Sequence, residues 1–155
     1  MEMAVPSAEE QLAGFLAKYT PGVAAEAVAS LERLRALVPG AVEMVYDNYN
    51  ALVIGFGATE RPSEAVLSIA VMPRWVTLCF LAGAALPDPH GLLQGSGNVV
   101  RSMRLLSGAA DIDRPEVREL IALAVAGSAQ PFDSARERRM VIRSISAKQH
   151  PRRPS

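Results

Sequence analysis

Apolar residues near the start of the chain recur at helical spacing. Leu12, Phe15, Leu16 and Tyr19 share one side of a 3.6-residue period, and Ser7 with Glu10 forms a capping box ahead of them. Thr20-Pro21 opens a second helix, with proline in the first turn, where a missing N–H costs nothing. Ala24, Val28, Leu31, Leu34 and Val38 are its expected buried stripe, and Pro39-Gly40 ends it. The period then changes. Val42 to Tyr46, Ala51 to Phe56, Ala65 to Met72 and Trp75 to Leu81 are short β-rich runs separated by punctuation. Asp47-Asn48-Tyr49-Asn50 reads as a turn, since Asn and Asp tolerate left-handed backbone, and Met72-Pro73-Arg74-Trp75 reads as a tight hairpin. Four antiparallel strands in a meander connect runs this close most simply.

Beyond Leu81 the pattern breaks up. Gly83 to Asn98 is irregular and rich in Gly and Pro, and Arg101 to Leu106 reads as a further strand. Asp113 with Glu116 is an N-terminal cap around Pro115, and Val117, Leu120, Ile121 and Ala124 form the stripe of a third helix closed by Gly127. Met140 to Ser146 is again β-like, and the tail from Gln149 is expected to fray. The pattern predicts an α+β fold: an antiparallel sheet of about five to six strands, with two N-terminal helices and one C-terminal helix packed on one face. Residues 1–150 form a single domain, and 151–155 a short basic tail.

Composition adds limits to this picture. At 155 residues, half of them apolar, one domain can bury a core without staples. Cys79 is the only cysteine, so no internal disulfide forms, and its apolar surroundings mark it as a small core residue. The N-terminal stretch has acids and no apolar leader region, and Trp75 to Leu86 is too short to span a bilayer. A cytoplasmic protein with no membrane partner is expected.

The formal charge of zero conceals an asymmetry. Residues 133–155 carry seven Lys/Arg against Asp133 and Glu137, a net charge of +5 that the rest of the chain balances. With Met140 to Ser146 in the sheet, Arg143 is free to pair with acids of the body, while Arg152 and Arg153 dangle. Two or three phosphate contacts without a recognition helix give only weak, salt-sensitive binding, so nucleic acid is not the expected partner.

Two segments attract attention as candidate ligand sites. In Leu86-Pro87-Asp88-Pro89-His90-Gly91-Leu92-Leu93-Gln94-Gly95-Ser96-Gly97-Asn98, long for a loop in a compact domain, Gly95, Ser96, Gly97 and Asn98 with Arg101 and Arg104 form a candidate anion nest. The alternative is an ordered crossover in which the glycines make turns and Asp88 caps Gly91-Leu92-Leu93. Neither P-loop nor dinucleotide spacing is present. The second segment is Tyr46, Asn48 and Tyr49, with Trp75 at the neighbouring hairpin: rings beside amides suit a base, sugar or peptide, or simply a half-buried turn.

Chemistry beyond binding is thinly supplied. Asp88 and His90 are the one acid–base pair close in sequence, and no nucleophile elbow precedes a helix. His90 and His150 are far apart, and no spacing assembles Glu9, Glu10, Glu26, Glu32, Glu43 and Asp47. No catalytic residue, metal ligand or cofactor is assigned.

The run Glu43-Met44-Val45-Tyr46-Asp47-Asn48-Tyr49-Asn50-Ala51-Leu52 resembles the YdhG-like domain family. So do Leu86 to Arg101, the most specific part, and Ile142-Arg143-Ser144-Ile145-Ser146-Ala147-Lys148-Gln149. The resemblance spans roughly residues 25–150. It implies helices on an antiparallel sheet, and, because a member of the family is described as a frataxin-like iron chaperone, iron binding through surface carboxylates. The residues themselves point first to a non-catalytic binding or adaptor domain for an unidentified small molecule or protein. The iron chaperone and a homo-oligomeric interaction protein, such as a homodimer formed through a sheet face, are the alternatives.

Overall fold

Ser7 and Glu10 form the expected reciprocal cap, and α1 runs from Ala8 to Leu16 with Leu12, Phe15 and Leu16 inward. The computed structural model describes residues 4–155; Glu2, one of the N-terminal acids, lies outside them. Thr20 caps α2 (Pro21–Leu37) by accepting from Val23 N at 3.4 Å. The buried stripe of α2 is Val23, Ala27, Leu31 and Leu34, continued by Val38, rather than the row through Ala24 and Val28. Both rows are helical, and alanines and valines populate each. Val28 is 42% exposed and lines an open apolar groove of about 460 Å³ between α1 and α2.

The sheet has six strands: β1 (Val42–Asp47), β2 (Leu52–Gly57), β3 (Ala65–Val71), β4 (Val76–Phe80), β5 (Arg101–Arg104) and β6 (Arg139–Ile145), in the order β5-β4-β3-β2-β1-β6. The β1–β4 meander is antiparallel, as expected, and Met72 N closes its hairpin on Trp75 O at 2.8 Å. The turn after β1 is Asn48 to Ala51, and it uses no left-handed residue. Asp47 belongs to the strand and points inward.

β6 departs from the all-antiparallel expectation. It runs parallel to β1, with a bulge that lets Val45 face Ile142 and Tyr46 face Ser144. Strand spacing in the sequence cannot specify such a distant edge partner.

Strand residues of one parity form a single apolar cluster with all three helices: Val45, Leu52, Ile54, Phe56, Leu67, Ile69, Val71, Leu78 and Phe80 among them. Glu43 and Asp47 share that inward parity. The opposite sheet face carries half-buried Tyr46, Val53, Ala70, Thr77 and Cys79. Cys79 is therefore opposite Ser68 on that face and not in the core; burial pushes its thiol up.

The third helix, α3 (Pro115–Ala126), buries Val117, Leu120, Ile121 and Ala124 as predicted. Its N-cap is Arg114, with no side-chain cap. Asp113 instead receives Arg33 Nε at 3.0 Å, and Glu116 receives Arg114 at 2.7 Å.

The basic tail is not loose. Arg152 is 5% exposed and paired with Asp47, while Arg143, expected to pair with the body, is exposed and forms no ion pair among the described residues. No described helix is long and apolar enough to cross a membrane.

Candidate functional site

The β3–β4 hairpin, the end of β5 and the start of α2 meet at one end of the sheet. Pairing of Thr77 with Arg104 brings the guanidinium of Arg104 beside Trp75, two residues before Thr77. The indole is pinned by Nε1 donating to Thr77 Oγ1 at 3.1 Å, and Arg104 lies 3.7 Å above the ring centroid. Such stacking orients a guanidinium while leaving its N–H groups for an in-plane acceptor.

These residues wall a cleft of about 510 Å³, closed on the other side by Thr20, Gly22, Glu26, Ser107 and Gly108. Arg74, in the hairpin turn, supplies a second guanidinium. Neither arginine pairs with a carboxylate among the described residues. Glu26, the one acid of the lining, is already held: Oε2 accepts from Ala109 N at 2.7 Å. Gly108 makes that approach possible, with φ +70° and no side chain; a Cβ there would stand 2.1 Å from Glu26 Oε2. Among the described residues the lining offers no histidine, thiol or unengaged carboxylate for proton transfer. What it offers is two cations, an aromatic wall and the 82% exposed Leu106 at the rim.

The residues singled out from sequence fall in three places. Trp75 and Arg104 come together in the cleft. Arg101 does not join them, because residues three apart on a strand point to opposite faces. It serves the loop before it, donating to the Gly97 and Val100 carbonyls. Within Gly95, Ser96, Gly97 and Asn98, the Gly97 carbonyl is the Arg101 acceptor, and Gln94 folds back to bridge Ser102. Asp88 caps this loop through the Leu92 and Leu93 amides, both at 2.9 Å, and His90 is exposed.

Asn48 and Tyr49 sit at the same sheet end as Trp75, but β1 lies three strand spacings from β4, roughly 14 Å. They contact β6 and the segment after it: Tyr49 packs in a tilted arrangement against His150, ring centroids 4.5 Å apart, and Ser144 Oγ donates to Asn48 Oδ1 at 3.4 Å. Tyr46 is half-buried on the sheet face opposite the helices.

Sequence reasoning missed the inward acids of β1. Glu43 takes Arg35 through two 2.8 Å contacts, with Arg138 at 3.5 Å. Asp47 takes Lys18 at 2.8 Å and Arg152 at 3.0 Å. Their alternation with Val45 was the available signal. With Glu26 bound to backbone and Glu9 near Arg138, most of the carboxylates considered for iron are engaged. No three His, Cys, Asp or Glu side chains are grouped for a metal among the described residues.

Burial alone raises the carboxyl of Asp47, but Lys18, the Gln149 amide and Arg152 outweigh it and hold the group below the usual 3.8. A carboxyl with a lowered folded value contributes stability above 3.8 and loses it as pH falls through that folded value. The urea midpoint is thus expected to drop on acidification below pH 3.8, and less steeply in Asp47→Asn. Equal slopes in the two proteins would remove Asp47 as the cause.

Set against protein-family models, curated proteins and solved structures, the chain matches none of them.

Proposed function

We propose that this chain is a YdhG-like, non-catalytic binding domain whose site is the Trp75–Arg104 cleft, and that its ligand is a small molecule bearing a carboxylate or phosphate. The observation that carries the reading is the stacked Arg104 guanidinium beside a second arginine, Arg74, with no carboxylate paired to either among the described residues. A planar fork fixed by an aromatic ring suits bidentate oxyanions, and less entropy is lost when a pre-oriented side chain is engaged. The half-buried Trp75 and the exposed Leu106 in the lining favour a ligand with an apolar or aromatic portion next to its charge. Among the described residues the lining has no histidine, thiol or unengaged carboxylate to activate the Thr20 or Ser107 hydroxyl, which supports binding rather than turnover.

A thermal-shift panel of phosphate, sulfate, aromatic carboxylates and nucleotides tests this reading. A ligand at about a hundred times its Kd adds roughly 2.7 kcal/mol, or about 5–10 °C for a domain of this size. Arg74→Ala/Arg104→Ala is expected to abolish the shift and to alter the ligand-free Tm by less than about 2 °C, because both side chains are exposed. Arg101→Ala is expected to retain the shift. An anion that binds the double variant as tightly as the unaltered protein refutes the assignment.

A further inference from the structure

The segment after β6 has no helix or strand and adds no side chain to the apolar core. It is nevertheless fixed at several points. Ser146 N donates to Asp47 O at 2.8 Å and His150 N to Tyr49 O at 2.9 Å. Arg153 donates to Lys18 O at 3.2 Å and Ala17 O at 3.5 Å, carbonyls left without helical partners where α1 ends.

Arg152 is the anchor. Nη2 meets Asp47 Oδ1 at 3.0 Å and the Asn48 carbonyl, Nη1 meets the Tyr49 carbonyl at 3.4 Å, and the guanidinium lies 5.9 Å from the Tyr19 ring centroid. A carboxylate, two carbonyls and an aromatic ring, all from elements other than the tail, surround one guanidinium. These are the groups that select arginine over a point charge.

We propose that Tyr19, Asp47, Asn48 and Tyr49 form a guanidinium-binding site, and that Ser146–Arg153 is a releasable strap filling it from within the same chain. Three observations support release. The strap is held by polar contacts, with no core side chain to extract. Arg152 Nε is buried without an acceptor, so the seated guanidinium is incompletely satisfied and regains a partner in water. Asp47 uses separate oxygens for its two cations, Oδ2 for Lys18 and Oδ1 for Arg152, so Lys18 can stay on the carboxylate when Gln149 and Arg152 leave with the strap. Arg153 also borders the apolar groove between α1 and α2. Strap release therefore widens that groove.

Two measurements decide the matter. On the unaltered chain, the Ser146 and His150 amides are expected to exchange with solvent about 100-fold faster than Ile54 and Ile69 amides in the central strands. Equal protection would mean that the segment opens only with the whole fold, and would overturn the strap. In Arg152→Ala, ethylguanidinium at on the order of 20 mM, far below denaturing levels, is expected to raise Tm by about 3 °C. Ethylammonium should do less, and neither cation should rescue Arg152→Ala/Asp47→Asn. Absence of rescue, or equal rescue by both cations, overturns the site. Failure of Arg152→Ala to fold overturns releasability.

Discussion

Replacing Arg35 by methionine is expected to destabilise the protein by about 3 kcal/mol, the range for removing one partner of a buried ion pair. Glu43 has a fully buried side chain, and the Arg35 fork occupies both of its oxygens. Without that fork, the carboxylate keeps only Arg138, at 3.5 Å. Because Arg35 lies on α2 and Glu43 on β1, the pair also fixes the helix against the sheet near the β1–β6 edge. Urea denaturation measures the loss, with the slope expected to stay constant. Arg35→Met/Glu43→Met is expected to recover most of it, since an apolar pair leaves no charge without a partner. A single-variant loss below about 1 kcal/mol would mean that water or Arg138 compensates the carboxylate.

Gly40→Ala is the other large effect, expected to cost about 3 kcal/mol through left-handed strain and a collision with backbone. Gly40 has φ +79°, and a Cβ there would lie 1.9 Å from the Asp133 carbonyl oxygen and 3.2 Å from that of Arg136. Backbone cannot swing aside as a flexible side chain can. The displaced segment leads directly into β6, whose first amide, Arg139 N, donates to Ala41 O at 3.2 Å. The loss should therefore be accompanied by faster hydrogen exchange in β6 and not in β2 to β4. A uniform rise in exchange, or a loss under about 1 kcal/mol, would show that residues 133–136 yield without disturbing the strand.

Local rules carried much of the fold in the sequence. Ser7 with Glu10, Thr20-Pro21 and the Met72–Trp75 hairpin depend on neighbours a few residues apart, and each is where the pattern puts it. The stripe of α2 was ambiguous because Ala24-Val28 and Val23-Ala27 are equally apolar rows, and tertiary packing alone selects between them. The parallel partnership of β6 with β1 joins residues about a hundred positions apart, which no local period encodes. The site was legible in fragments. Trp75 and Arg104 each stand out, but their contact depends on the β4–β5 register, and the intervening loop gives no way to count it. Arg101 and Arg104 were separable in principle, since their three-residue spacing on a strand puts them on opposite faces. Glu43 and Asp47 fall in phase with Val45. A carboxylate is normally read as outward, so the alternation was overlooked until Arg35, Lys18 and Arg152 accounted for it.

The late position of β6 has a consequence for synthesis. Asp47 and Arg152 are separated by 105 residues, so a ribosome adding about 5–20 residues per second needs roughly 5–20 s to deliver the second after the first. During that interval the growing chain can already form the β1–β4 meander, but with β1 as a bare edge whose inward acids lack their C-terminal cations. An exposed strand edge is a template for pairing with other chains. The nascent domain is thus most in need of a chaperone after its meander has formed and before its last strand emerges.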